Sequence, residues 1–346
     1  MKILVDTEKL KKALIELLVK MNIEEQDAKI IVESYIEADL CGVETHGISL
    51  FPIHIEKIEK RFYNIFPKIK VIKENIAFSV LDGDNAIGPI SANYAMKLAI
   101  KEARKKGIYL VLSKNNNTLG PAFVYNNLAL KEKMIGIIIT NSPAAMAPTN
   151  GKTKLFGTNP IAISIPTKNE RPIILDMATS TVAKSKIKQA LEKNEKIPTD
   201  WATDIDGNPT DDPEQAIKGL LLPMAGYKGY GLAMMVDILS GMLSGASYLN
   251  EVGKFYGNNT CMNVGFAFMV IDPKQIYGEE FYENMDKYVK KIKNSEKIGE
   301  KAIIIPGENR LDKRDYNKQH GIALEDNIVI KIEQLLQKYE VKEKIR

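Results

Sequence analysis

Apolar residues near the start of the chain recur at helical spacing. Leu10, Leu14, Leu17, Leu18 and Met21 fall on one face, and Asp6 or Thr7 is placed to cap the helix they predict. A second helix is expected over 24–40 and a short third over 51–60, with Ile55 and Ile58 inward; Pro67 marks the end of this helical unit. From Ile76 the texture changes: FSVLDG, IYLVLS and IGIIITN alternate with helical stretches over 91–105 and 121–131. Further strands are predicted at 161–165, 173–176 and 265–271, and further helices at 182–192 and 229–243. The segment 193–218, polar and rich in Asp and Pro, reads as a long surface excursion. Helical patterns return from Tyr277 to Glu296 and over 327–342, and there is no internal repeat. This alternation places the chain in the α/β class.

Composition narrows the picture. The 346 residues, 45% of them hydrophobic, suffice for two or three domains or one large two-part globule, and they exclude a disordered chain. Runs such as 134–139 and 231–243 fall short of the roughly 20 residues that span a bilayer, so no membrane partner is expected. Charges scattered through the first apolar positions are unlike a signal peptide, and the expectation is a folded, cytoplasmic N-terminus. Cys41 and Cys261 show neither CxxC nor metal-ligand spacing, so both are expected as buried thiols, with no disulfide and no metal. The net charge of +4 is spread through interleaved Lys and Glu, the mark of solvated helix faces rather than of a nucleic-acid surface.

Three histidines carry the candidate acid–base chemistry. His46, in GVETHGISLF, precedes a glycine that lets the backbone turn close to a ligand; it reads either as a satisfied loop residue or as a group facing a cleft. His54 falls on a helical pattern and fits a packed or surface role, and His320 has little functional weight. In GTNP (157–160) and LDMATS (175–180), Asp176 follows a strand-like run, so it is either a helix N-cap or a carboxylate that helps backbone amides hold a sugar or phosphate. In MAGYKGYGLAMMVDILSG, Gly226, Gly229 and Gly231 lead into an apolar helix with Lys228 at its entrance, a place where the helix dipole favours a pyrophosphate. Neither GxGxxG after a strand nor GxxxxGK[ST] occurs, so a nicotinamide cofactor would bind by another fold.

In order, GVETHGISLFP, NNNTLGPAFVY, TNSPAAMAP, FGTNPIAISIP, LDMATS, MAGYKGYGLAMMVDILSG and IPGE resemble the type-2 malate/L-lactate dehydrogenase family from the first helix to about Asn327. The resemblance implies an NAD(P)-dependent oxidoreductase, commonly a homodimer, with NAD or NADP held by a non-Rossmann α/β domain. A helical domain is formed from the N- and C-terminal segments: 1–72 joined by 310–346, with 73–309 as the α/β cofactor- and substrate-binding part. It further implies cofactor contacts at Ser142, Asp176, Met177, Ala178, Lys228, Gly307, Glu308 and Asn309, and His46 as the proton donor or acceptor beside the reacting carbon. An imidazole suits that role because hydride transfer at carbon obliges the attached oxygen to exchange a proton near neutral pH.

Three departures cluster at the substrate positions Leu50, His54, Asn117 and Thr118. Where the family motif HGxxR carries an arginine this chain has Leu50, which removes a charge-assisted contact of roughly 1.5–3 kcal/mol to a carboxylate. Where NHxG carries a second histidine, Thr118 follows Asn117; Thr118 donates a hydrogen bond but shuttles no proton at neutral pH. His54 replaces a frequent tyrosine and, one helical turn beyond Leu50, would supply part of the missing cation if protonated. The expected substrate is a small 2-hydroxy or 2-oxo acid or related compound. Reduction of a cyclic imine carboxylate, or cofactor binding without catalysis, are the rival readings. The NAD or NADP choice stays open, since the acidic residue of a Rossmann strand is missing.

Overall fold

The computed structural model describes residues 2–257 and 261–345. In chain order it contains β1 (Lys2–Val5), α1 (Thr7–Lys20), α2 (Glu25–Leu40), α3 (Phe51–Glu59), β2 (Lys70–Glu74), β3 (Phe78–Asp82), α4 (Gly88–Lys106), β4 (Ile108–Asn116), α5 (Phe123–Lys131) and β5 (Ile135–Thr140). There follow β6 (Ile161–Ile165), β7 (Ile173–Met177), α6 (Lys184–Glu192), α7 (Pro213–Lys218), α8 (Tyr227–Val236) and β8 (Val264–Ile271). The chain closes with α9 (Pro273–Tyr277), α10 (Glu280–Lys293), α11 (Glu308–His320), β9 (Ile322–Glu325) and α12 (Asp326–Lys338).

Asp6 is the cap of α1: its carboxylate accepts the Lys9 amide at 2.9 Å. The five apolar positions that predicted the helix are buried. Their partners come from both ends of the chain, because β1 pairs antiparallel with β9, Val5 opposite Ile322. One core therefore packs Leu10, Leu14 and Leu17 with Tyr35, Phe51, Leu324, Val329 and Ile332.

The second core surrounds a seven-stranded mixed sheet in the order β2-β3-β4-β8-β5-β6-β7, in which only β3 and β4 run parallel. Strand β8 pairs on both edges, and its unbroken VGFAFMVI run is that of a strand covered on both faces. Strand β2 is exposed throughout, and Lys70, Lys73 and Glu74 keep this edge unattractive to another strand.

Two expectations change. The 193–218 excursion folds back on itself: Ile197, Ala202 and Ala216 are buried with Phe156, Ile187 and Leu221, and Ala202 bridges Leu221. Its few apolar residues are irregularly spaced, so periodicity does not reveal them. The helix expected at 229–243 starts earlier and loses α geometry after Val236, opening into a π turn over Asp237–Gly241. The buried Asp237 carboxylate accepts bonds from Asn141 Nδ2 at 3.1 Å and the Leu249 amide at 2.9 Å, which anchors the segment to the sheet end. Helix α11 has no buried residue and thus no hydrophobic signal; ion pairs from Arg171 to Asp312 and Asp315, and from Arg314 to Glu37, hold it.

Because Leu17 lies wholly inside the helical core, Leu17→Ala should cost about 2–5 kcal/mol. A lowered denaturant midpoint at unchanged slope is expected; an unchanged midpoint would show that this core does not bear on global stability.

Candidate active site

The turn that carries His46 begins where α2 ends. Gly42, at φ 72, and Val43 return their amides to Asp39 and Ala38, and the chain then makes two tight turns, Glu44–His46 and Ile48–Leu50. His46 is half-exposed, with Nδ1 3.0 Å from Thr45 Oγ1 and Nε2 without a hydrogen-bond partner among the described residues. Burial of the ring lowers its pKa from 6.5, which favours the uncharged imidazole at neutral pH.

Beneath this turn Cys41 and Val43 pack with Phe123, Ile174 and Leu311. Cys41 is a buried free thiol, its pKa pushed up to about 12 by burial, whereas Cys261 is only half-buried. Asp176 stands at the end of β7. It caps no following helix; instead Oδ2 accepts the Phe123 amide at 3.1 Å, at the start of α5. Burial raises its pKa, while Arg310 and the Phe123 amide act against that rise. Arg310 donates from Nη2 to the Asp176 carbonyl at 2.6 Å, and its guanidinium lies 5.1 Å over the Phe123 ring. Sequence reading passed over Arg310, although it directly follows Gly307–Asn309; only the fold brings it to a residue 134 positions away.

The same strand end leads into the second half of the site. Thr179 donates its amide and hydroxyl to the Thr158 carbonyl, at 2.9 and 3.0 Å, and its own carbonyl accepts the Met224 amide at 2.9 Å. Ser142 is joined to this group by its amide, which donates to Asn159 Oδ1 at 3.1 Å, and Asn159 Nδ2 reaches the Ala233 carbonyl in α8. Met177 and Ala178 are half-buried between the two halves, and Lys228 is exposed in the first turn of α8. Gly226 and Gly231 have open space where a side chain would stand. A cavity of about 640 Å³ adjoins this helix start, lined in part by Thr149, Thr181, Met224, Gly226 and Tyr227. That volume suits part of a dinucleotide; of the amides at the helix start, those of Gly226, Gly229 and Tyr230 are already bonded to the Pro223, Met224 and Gly226 carbonyls. Among the described residues no group of three His, Cys, Asp or Glu could hold a metal ion.

His54 requires correction. It is buried, Nε2 lies 2.6 Å from the Tyr35 hydroxyl and Nδ1 3.1 Å from that of Tyr63, and burial with nearby Lys57 holds its pKa down to about 3. It is a neutral packed residue and cannot be the cation that replaces the arginine. Asn117 is likewise spent inside the protein: its Nδ2 donates to Asn85 Oδ1 and the Ala86 carbonyl, both at 2.9 Å, and its Oδ1 accepts the Met262 amide. Thr118 and Leu50 are half-exposed. Gly307, at φ 98, seats the start of α11 against Ile174, while the Glu308 carboxylate takes Lys293 at 2.5 Å and the Ile305 amide at 2.9 Å; Asn309 is exposed. Glu308 thus shapes the turn.

The chain matches the family described as Malate/L-lactate dehydrogenase over residues 5–333. It is 40% identical over 326 residues to an L-sulfolactate dehydrogenase of Methanocaldococcus jannaschii, covering 94% of each chain. It is 39% identical over 323 residues to a malate dehydrogenase of Pyrococcus horikoshii, covering 90% of this chain and 88% of that one. The solved sulfolactate dehydrogenase of M. jannaschii superimposes with a TM-score of 0.93 at 39% identity, over 98% of both chains. Residues, fold and relatives agree: the chain belongs to the malate/L-lactate dehydrogenase family and is a dehydrogenase acting on CH–OH groups.

Proposed function

We propose that this dehydrogenase exchanges a hydride between NAD or NADP and a small 2-hydroxy/2-oxo acid, with His46 moving the hydroxyl proton. The observation that carries the reading is the half-exposed, uncharged His46, with Thr45 at one nitrogen and the other free, above the cluster that leads through β7 to the open start of α8. Residues of that start fit a dinucleotide: room at Gly226 and Gly231, and the exposed Lys228 charge at the positive end of α8. Ser142, Asp176, Met177, Ala178 and Gly307–Asn309 would border the cofactor, Glu308 by shaping its turn. The almost wholly antiparallel sheet supports a binding mode outside the Rossmann arrangement.

The bound nicotinamide supplies or accepts the hydride. In oxidation, neutral His46 takes the substrate hydroxyl proton at its free nitrogen; in reduction, protonated His46 returns one to the developing alkoxide. Thr45 holds the ring's orientation. With Leu50 in place of an arginine and His54 neutral, neither position grips an anion by charge. Relatives named for sulfolactate and malate support an anionic hydroxy acid as substrate.

We further propose a homodimer. Leu232, Met235, Leu239, Met242 and Leu243 are exposed apolar residues along α8 and the turns that follow it. The pairing would bury this face.

His46→Ala should lower kcat by about 10²–10⁴-fold with cofactor affinity retained in a fluorescence titration; wild-type turnover in the variant would sink the assignment. For alcohol oxidation, the lowered His46 pKa places the acid limb of kcat/KM below 6.5, activity falling as pH drops through it; an inflection above 6.5 would contradict the desolvated, neutral ring. Lys228→Ala should weaken cofactor binding about tenfold or more, as expected for a lost charge-assisted contact. Leu239→Glu should halve the mass seen by light scattering; an unchanged dimer would place the interface elsewhere.

A further inference from the structure

Asp39 is a buried acid that the chemistry above does not use. It is the penultimate residue of α2, only 3% exposed, and its side chain lies under the turn that carries His46. Oδ2 accepts the Ile48 amide at 2.7 Å, whereas Oδ1 is buried with no hydrogen-bond partner among the described residues. Gly47 crosses the carboxyl so closely that a Cβ there would stand 2.1–2.3 Å from its three terminal atoms. The backbone on either side is drawn to the same point, with the Gly42 amide on the Asp39 carbonyl at 2.9 Å and Asn317 Nδ2 of α11 on the Leu40 carbonyl at 3.0 Å.

We propose that Asp39 is the positioning residue of the active site: its carboxyl, clamped under Gly47 and bonded to the Ile48 amide, sets where the His46 ring stands. This rests on the reading of His46 as the proton-transfer group. Glycine is demanded at 47 by the same contact, since any side chain would push the turn off the carboxyl. A displacement of about 1 Å at a catalytic group costs on the order of 10²-fold in rate, so the clamp has kinetic weight although Asp39 touches no substrate.

The clamp is also sensitive to pH. The Asp39 pKa is raised to about 8, chiefly by burial; the Ile48 amide and Lys2 of β1 act against the rise and Glu44 of the turn adds to it. Lys2 is itself engaged by the Glu44 carboxylate at 2.6 Å, and the Lys313 chain from α11 lies against Gly42. The negative end of α2 further disfavours ionisation. Below about 8 the carboxyl is neutral and fits its dry pocket; as pH rises through that value it becomes a buried anion with one unsatisfied oxygen, and the turn is pushed toward water.

The test compares Asp39→Asn and Asp39→Ala with the wild type, using pH profiles of kcat, cofactor titration and side-chain NMR of the three histidines. Asn keeps an acceptor for Ile48 and does not titrate. It should hold kcat within about threefold of wild type at neutral pH and lose the wild-type decline above pH 8, while Ala should lose about 10²-fold in kcat with cofactor affinity unchanged. The wild-type His46 resonance should show a second inflection near 8 that is missing in Asp39→Asn. An Asn variant with the full wild-type alkaline decline, or an Ala variant with wild-type kcat, would overturn the proposal; if Ala fails to fold, the Asn arm decides. The two readings fail separately, because turnover by His46→Ala removes the proton-transfer role, whereas the second His46 inflection reports the Asp39 contact without any turnover.

Discussion

The half of the candidate site that would hold the cofactor is built on a backbone exchange at Thr179. This wholly buried residue gives its amide to Thr158 and takes the amide of Met224, so segments far apart in sequence meet with no space between them. Gly229 completes the contact: a Cβ there would lie 2.7 Å from the Thr179 carbonyl and 2.4 Å from that of Met224. Close backbone approach of this kind admits only glycine, and it sets the start of α8 against the end of β7. GTNP, LDMATS and YKGYG are therefore one physical object, although none of them is a complete binding loop by itself.

Burial then decides which ionisable groups are open to a reacting molecule. His54 and His46 lie on neighbouring turns, yet one is enclosed by Tyr35, Tyr63 and Phe255 with both nitrogens engaged, and the other keeps a nitrogen free. Desolvation lowers the pKa of both, His54 down to about 3, and only His46 keeps access to a reacting group. The carboxyls divide in the same manner. Asp237 and Asp176 are drawn inward by amides and brace the chain, whereas Glu308 is held by a lysine. Buried polar groups satisfied by backbone are what fix loops firmly enough to present a reacting side chain.

Regular elements with a buried face were readable in advance. The leucines of α1, the β-branched run of β5 and the unbroken apolar β8 announce themselves because burial on one face imposes a period of 3.6 or 2, and burial on both removes alternation. Helix α11 was not, because charge pairs and the partly buried Leu311, rather than a fully buried face, hold it; nor was β2, whose residues meet solvent. The small core within 193–218 escaped for a related reason, since its buried residues are set by turns such as that at Asp204, whose carboxylate collects the Asp206 and Asn208 amides.

By itself, the sequence determined the α/β class, most element positions, the acid–base candidate and the order of the motifs, since periodicity and short motifs are local properties of a chain. The tertiary structure alone decided that β1 and β9 close the two chain ends into one core, that Arg310 reaches Asp176, that His54 and Asn117 are packed, and that Asp39 lies under Gly47. Each of these is a contact between residues whose pairing no local pattern encodes, and whose charge state follows from how much water the finished fold leaves around them.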